Sequence, residues 1–392
     1  MSEPVIHLKP GKDRPVLAGH PWIFSGAIAG LENRLEPGSI VAIEDAAGKL
    51  IGRGYVNPRC AITVRVLTRN DEPVDAALVA RRIEAALTLR HAILPADTNA
   101  FRLLNGEGDF LPGVVADVYG STVVLQCLTA GAERLKSLVV DALVRELRPA
   151  CIYERSVGNV RREEGLAQVT GALYGDPPTT PVDIRECGLQ FQVDVQSGQK
   201  TGFFLDQRDN RRLARELASG KNVLNAFAYT GGFGIYTATG GARRVVSVES
   251  SGRALEATRQ HLEINGLAAD THELVEADIF EFLRQRDERY ELLILDPPAL
   301  VKRRNEVQRG ARAYKDLHMW ALRRATPGAL MMTFSCSQHV PADLFWKIVH
   351  GAAVDVGRAV QALRTLGPGA DHPVSMSHPE GNYLKGLLLR VD

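Results

Sequence analysis

In the second half of the chain, strand-length apolar runs alternate with segments of helical spacing. Residues 223–229, 244–248, 272–275, 291–295 and 329–334 read as strands, and 252–265 between two of them carries a helical period. Alternation of this kind predicts a doubly wound sheet, because parallel neighbours need a crossover and the crossover helices cover both faces. In such sheets ligands bind outside the carboxyl ends of the strands. The residues that directly follow each run are therefore the candidates for chemistry.

After the first run comes a glycine loop, Thr230, Gly231, Gly232, Phe233 and Gly234, where glycines let backbone approach a ligand or simply allow tight packing. Glu249 ends the second run, where an acidic side chain accepts both hydroxyls of a ribose. The loop has neither the full G-x-G-x-x-G pattern nor a Walker lysine, which favours a ligand with a ribose and no pyrophosphate, and S-adenosylmethionine fits. Asp278 follows the third run; it can meet an adenine amine or cap the helix that starts at Ile279. Asp296, Pro297 and Pro298 follow the fourth, a stiff turn whose carboxylate can bond the amine edge of a base, or a plain strand terminator. Cys336 follows the fifth. A thiolate there can add to carbon 6 of a pyrimidine and so activate carbon 5 for methylation, while an inert buried thiol is the plainer alternative.

At 392 residues the chain suggests two or three domains. Residues 1–72 read as a β-rich module with strands near 39–43, 50–55 and 61–67. A compact α+β domain is expected over 73–185, with strands at 113–119, 122–128 and 150–154 and helices from about 74 and over about 132–147, and the wound sheet over 186–392. Lys plus Arg (47) balances Asp plus Glu (46), so any contact with a polyanion must be a local patch. The five cysteines form no C-x-x-C pair, which speaks against a zinc site or a disulfide framework. No metal is expected. No run is long enough for a membrane span and no leader pattern opens the chain, so a cytoplasmic protein is expected.

With those residues in place, the chain resembles the RlmI-type family of bacterial large-subunit ribosomal RNA cytosine-5 methyltransferases. The resemblance is carried by residues 20–24, 198–208, 229–233, the Asp296 turn, Tyr314-Lys315-Asp316, the Cys336 run and Tyr383-Leu384-Lys385-Gly386. It implies an α/β fold with a Rossmann-like class I methyltransferase sheet at the C-terminus, preceded by a PUA domain and a small α+β domain. It also implies Cys336 as nucleophile and Asp296 as holder of the cytosine edge. S-adenosylmethionine would lie against Phe204, Asp206, Arg208, Phe227, Tyr229, Thr230, Gly231, Gly232, Glu249, Ser250, Asn265, Asp278, Ile279 and Asp296. Large-subunit ribosomal RNA, free of most of its proteins, would be the partner. Lys9, Lys12, Arg14, Trp22, Lys302, Tyr314 and Lys315 would contact it, with His20, Arg53, Arg59, Arg65, Arg303 and Arg304 as further basic or aromatic candidates. A homodimer is allowed. His318 and Leu300 depart from the family pattern, which expects an asparagine and an aromatic there, and His372 is a candidate for the base that removes the carbon-5 proton, as another loop residue of the same domain. Two rivals stand beside this reading: an exocyclic-amine methyltransferase, which needs no thiol, and a non-catalytic RNA-binding protein with a cofactor pocket.

Overall fold

The computed structural model describes residues 3–30, 35–178 and 181–392. The chain divides into two compact units. The first holds the chain up to Gly188 together with Val193–Leu205 and Ala370–Gly381; the second holds Leu189–Gln192, Asp206–Gly369 and Asn382–Asp392. Of the 207 residues expected as the last domain, 186–188, 193–205 and 370–381 thus belong to the first unit.

In the first unit, β1 (Val5–His7), α1 (Arg14–Leu17), β2 (Trp22–Phe24), β3 (Ile40–Glu44), β4 (Leu50–Val56) and β5 (Ile62–Thr68) build a five-stranded sheet in the order β1-β3-β4-β5-β2. The two glycines inside β4 have a steric cause: a Cβ on Gly52 would sit 2.4 Å from the Thr68 carbonyl oxygen, and one on Gly54 2.2 Å from that of Arg65. They let β4 and β5 approach across a register shift. Next come α2 (Ala76–Ile93), β6 (Ala100–Asn105), β7 (Val114–Tyr119), β8 (Thr122–Cys127), α3 (Ala130–Leu147), β9 (Cys151–Ser156), α4 (Asn159–Glu163) and β10 (Val169–Tyr174). Asp75 and Thr129 cap α2 and α3 through their side chains. The second sheet runs β10-β9-β8-β7-β6, and Val79, Ile83, Val139 and Leu143 of the helices are buried in its core. Tyr55 of β4 helps tie the two sheets together. It is fully buried against the first turn of α3, so close that a Cβ on Gly131 would fall 1.9 Å from its ring, and its hydroxyl donates to the Pro112 carbonyl.

Two strands, β11 (Val182–Glu186) and β12 (Leu189–Val193), form a hairpin. The second unit then runs α5 (Arg208–Leu217), β13 (Asn222–Ala226), α6 (Gly232–Thr239), β14 (Arg244–Glu249), α7 (Gly252–Ile264), β15 (His272–Glu276), α8 (Ile279–Gln285), β16 (Tyr290–Leu295), α9 (Val307–Arg324), β17 (Ala325–Ser335), α10 (Ala342–Val356), β18 (Val360–Leu366) and β19 (Lys385–Val391). Its seven-stranded sheet has the order β15-β14-β13-β16-β17-β19-β18, parallel from β15 to β17, with β19 antiparallel to both neighbours. This is the Rossmann-like sheet that the alternation predicts. The order reverses at β13, which makes the carboxyl ends of β13 and β16 a switch point.

The differences from the sequence reading have physical causes. β13 stops at Ala226 and not at 229, because Phe227 and Tyr229 take left-handed backbone with φ of 59° and 47°. β18 went unanticipated because it is an edge strand whose five interior residues are all exposed, which leaves no apolar alternation to read. No described helix is long and apolar enough to cross a membrane, and among the described residues no group of three or more His, Cys, Asp or Glu could hold a metal ion.

Candidate active site

Because β13 to β17 are parallel, the loops that follow all five lie along one edge of the second unit's sheet. The loop after β13 alternates the sign of φ, positive at Phe227, Tyr229 and Gly231. Two non-glycine residues held left-handed cost about 1–2 kcal/mol each, a strain that marks functional loops. Side chains fix this shape from outside: Glu249 Oε2 accepts the Tyr229 amide at 2.9 Å, Thr258 Oγ1 donates to the Tyr229 carbonyl at 3.2 Å, and His261 Nδ1 bonds the Thr230 carbonyl at 2.8 Å. The Gln192 amide donates to His261 Nε2, so the proton sits on Nδ1 and burial holds this histidine neutral.

Gly231 and Gly232 begin α6, and their small size is a packing requirement. A Cβ on Gly231 would meet Thr258 Cγ2 at 2.4 Å, and one on Gly232 would meet Arg211 Cδ at 3.2 Å. Gly234 approaches Ser247 and His272 in the same way. The tight-packing reading of this loop is thus correct, and it brings the Thr230 to Gly232 backbone to the strand ends.

Glu249 closes β14 half-buried. Its Oε1 accepts the amides of Ser250 and Ser251 at 2.9 and 3.1 Å and the Ser250 hydroxyl at 3.2 Å. A carboxylate offers about four lone-pair sites, and Oε2 carries a single one of these contacts, so it retains capacity for a ribose hydroxyl. Asp278 does cap α8, through Oδ1 alone, to the amides of Phe280 and Glu281, and Oδ2 is left over for a second acceptor role. Ile279 lies in the hydrophobic core. Asp206 is buried and accepts from the Tyr383 hydroxyl at 2.6 Å; Arg208 begins α5 and is buried too. Phe204 belongs to the first unit, half-buried under the Lys200 ammonium, which stands 4.4 Å from its ring centroid. Asn265 does not join the others. It terminates α7 and uses its amide on the Gln190 backbone, and 13 helical residues, about 20 Å, separate the ends of α7, with Glu249 near the other one.

Asp296 directly follows β16 and Cys336 directly follows β17, and these strands are hydrogen-bonded neighbours with Leu295 opposite Thr333. Cys336 is half-buried between two serines that are fully buried. Ser335 Oγ donates to the Tyr314 hydroxyl at 2.9 Å, that hydroxyl contacts Ser337 Oγ at 3.0 Å, and the Val301 amide donates to Ser337 Oγ at 3.2 Å. Tyr314 is 0% exposed, so its expected role in RNA contact is corrected: it is an internal strut that holds both neighbours of the cysteine. Lys385 was missed as a site residue. It sits opposite Ser335 on β19 and its Nζ donates to the Ser337 carbonyl at 2.8 Å. The paired serines around the thiol were the one local signal for this network.

His318 is buried between α9 and β17, with Nδ1 on the Tyr314 carbonyl and Nε2 on Thr333 Oγ1. Burial lowers its pKa to about 4, so it is a neutral core residue behind the site. Leu300 packs partly buried on the same core. His372 falls in the segment that belongs to the first unit, beside Asp371, whose carboxylate accepts the Arg102 amide and whose carbonyl accepts from Arg90; its expected place in the domain of Cys336 is corrected.

Of the RNA candidates, Lys9, Lys12, Arg14, Arg59, Lys302, Arg303 and Arg304 are exposed. Lys315 pairs with Asp355 at 2.7 Å. Arg53 is held by Glu3 and Asp71, and Arg65 is buried against Glu164. Trp22 is half-buried, donates its indole N–H to Glu107 at 2.7 Å and meets His378 edge-on at 4.4 Å, as does His20 at 5.8 Å, so Trp22 and His20 are internal bridges of the first unit.

A PUA-like domain profile matches residues 6–69, and an S-adenosylmethionine-dependent methyltransferase profile matches residues 160–332. The chain is 42% identical to ribosomal RNA large subunit methyltransferase I of Alteromonas mediterranea, over 100% of this chain and 99% of that protein. It is also 42% identical to the protein of the same name from Erwinia tasmaniensis, over 98% of each. Among solved structures, a chain described as a methyltransferase complexed with SAH superposes with a TM-score of 0.85 at 23% identity and full coverage of both chains, a likeness of fold. S-adenosylmethionine is accordingly the cofactor, and the Glu249 carboxylate and the loop after β13 fit it.

Proposed function

This chain belongs to the family of ribosomal RNA large subunit methyltransferase I, and we propose that it methylates carbon 5 of a cytosine in large-subunit ribosomal RNA through a covalent bond to Cys336. One observation carries the proposal: a cysteine and an aspartate end two adjacent parallel strands on the edge where the cofactor loops lie. Carbon 5 of cytosine is a poor nucleophile. Addition of the Cys336 thiolate to carbon 6 moves the electron pair of the 5,6 double bond onto carbon 5, which can then attack an electrophile. S-adenosylmethionine, when bound, supplies that electrophile as a sulfonium methyl group. Asp296 accepts from the exocyclic amine and orients the ring. Loss of the carbon-5 proton to a base and cleavage of the sulfur–carbon bond restore the thiolate. The base must be flipped or already unpaired to reach a site at the strand ends. The PUA module over 1–72 and the central module over 73–185 serve RNA placement, the second compact unit, which holds Asp296 and Cys336, does the chemistry, and the cytoplasm is where this substrate is made.

The experiment is adduct trapping. RNA with 5-fluorocytosine at the target should form a stable complex with the wild-type protein, because fluorine cannot leave as a proton. Cys336→Ala should abolish both the complex and methyl transfer while cofactor binding persists. Two of the other thiols are poorly placed to substitute, since burial pushes Cys60 up to about 11 and Cys127 to about 12. Full transfer by Cys336→Ala would favour the exocyclic-amine chemistry instead, and RNA binding without transfer would favour a non-catalytic role.

A further inference from the structure

Lys385 poses a problem of charge. Its ammonium is half-buried on β19, and burial lowers its pKa, yet among the described residues no carboxylate pairs with it. Several other buried cations do have such partners, Lys136 with Glu133 and Glu154, Arg90 with Asp109 and Arg102 with Asp117, while Arg155, like Lys385, bonds backbone carbonyls. A desolvated cation without a counter-charge is unfavourable unless a negative charge appears beside it during function.

The β19 register places that charge. Ser335 lies opposite Lys385, and Phe334 lies opposite Gly386, where a Cβ would fall 2.5 Å from the Phe334 ring. The absent side chain lets β19 close on the end of β17 and brings Nζ onto the Ser337 carbonyl, across the one residue between the two serines. That residue is Cys336. A thiolate there would raise the lysine's pKa, opposing the effect of burial.

Other titratable and charged groups stand on the elements around the thiol. Tyr314 of α9 is neutral, its phenol pushed up by burial; Asp296 after β16 is an acid; Tyr383 before β19 donates to Asp206; Lys302 and Arg303 are exposed. We infer that Lys385 is a positioning residue that stabilises the thiolate of Cys336, both by its charge and by pinning the Ser337 carbonyl that orients the loop. The inference rests on the reading of Cys336 as nucleophile.

The test is chosen to work without that reading. Iodoacetamide alkylation of Cys336 in the full-length protein, followed by mass spectrometry of its peptide from about pH 6 to pH 10, reads the thiolate directly. Lys385→Met should move the alkylation profile to higher pH by about one unit or more, and should slow methyl transfer at neutral pH by roughly tenfold with recovery in alkali. Lys385→Arg should keep most of the wild-type profile, and it serves as the reading if the methionine variant fails to fold: a profile held by Arg and shifted by Lys385→Gln supports the inference. Identical profiles in wild type and in a folded Met or Gln variant would overturn it. A shifted profile in a protein that forms no fluorocytosine adduct would still support the effect of the lysine on the thiol, while counting against the covalent mechanism.

Discussion

Glu249 carries two loads with one carboxylate. It satisfies three backbone amides, those of Tyr229, Ser250 and Ser251, and it presents an oxygen toward the strand edge. The contact to the Tyr229 amide helps hold that residue at positive φ. Glu249→Ala should therefore weaken S-adenosylmethionine binding for two reasons, the lost ribose contact and a relaxed loop. A hydrogen bond to a charged group contributes about 1.5–3 kcal/mol, so affinity should fall by roughly tenfold to a hundredfold. Titration calorimetry on protein with an unaltered thermal midpoint checks this, and an unchanged dissociation constant would remove Glu249 from the cofactor site. At this scale the acids at strand ends were legible because a strand end is a local feature. Asn265 was not, since nothing in its neighbours says that it lies a whole helix away from Glu249. Lys385 was hidden for the same reason: 48 residues separate it from the carbonyl it bonds, and only sheet pairing brings them together.

Among the elements, α9 acts as a brace for the end of β17. Tyr314 and His318 stand four apart on one face of the helix, the first bonded to Ser335 and Ser337, the second to Thr333. The central strands were readable because burial on both faces demands continuous apolar runs such as Leu292 to Leu295, all 0% exposed. The brace was unreadable, because a helical tyrosine or histidine gives no hint of which face meets the sheet. His318 also makes the brace sensitive to pH. In the unfolded chain its pKa is near 6.5 and in the native protein about 4. Between those values the unfolded chain takes up a proton that the native state refuses, so its contribution is fully present above the unfolded value and is lost as pH falls toward 4. His318→Asn, which leaves His272 with a similarly lowered pKa, should flatten the fall in stability below pH 6.5 by up to about 1.4 kcal/mol per pH unit. Urea titrations at about pH 7 and pH 5 measure it, and an equal loss in variant and wild type would show that His318 does not titrate this way.

For the whole molecule, a net charge of +1 gives no general attraction to a polyanion, so RNA must be drawn by a local surface. The segment from the end of β1 to the start of α1 offers a candidate at Lys9, Lys12 and Arg14, which are exposed and close in sequence, whereas Arg53, Arg65 and Trp22 are spent on internal partners. The same internal partners rule out deletion of the first 72 residues as a clean test. Removing them would strip Tyr55 from its seat on α3 and leave the buried Glu164 without Arg65 and Asn57, which destabilises the rest of that unit. Charge removal at the surface avoids this. If Lys9, Lys12 and Arg14 each neutralise a phosphate, their combined replacement by Ala should weaken RNA binding and flatten the slope of log affinity against log salt by about two to three, since each lost contact removes roughly 0.7–0.9 from it. Cofactor affinity should stay constant, because the Glu249 loop belongs to the other compact unit. Filter binding across a salt series decides the matter: a slope equal to that of the wild type would mean that RNA meets the protein elsewhere, with the exposed Lys302 to Arg304 run beside the Asp296 turn the next surface to neutralise.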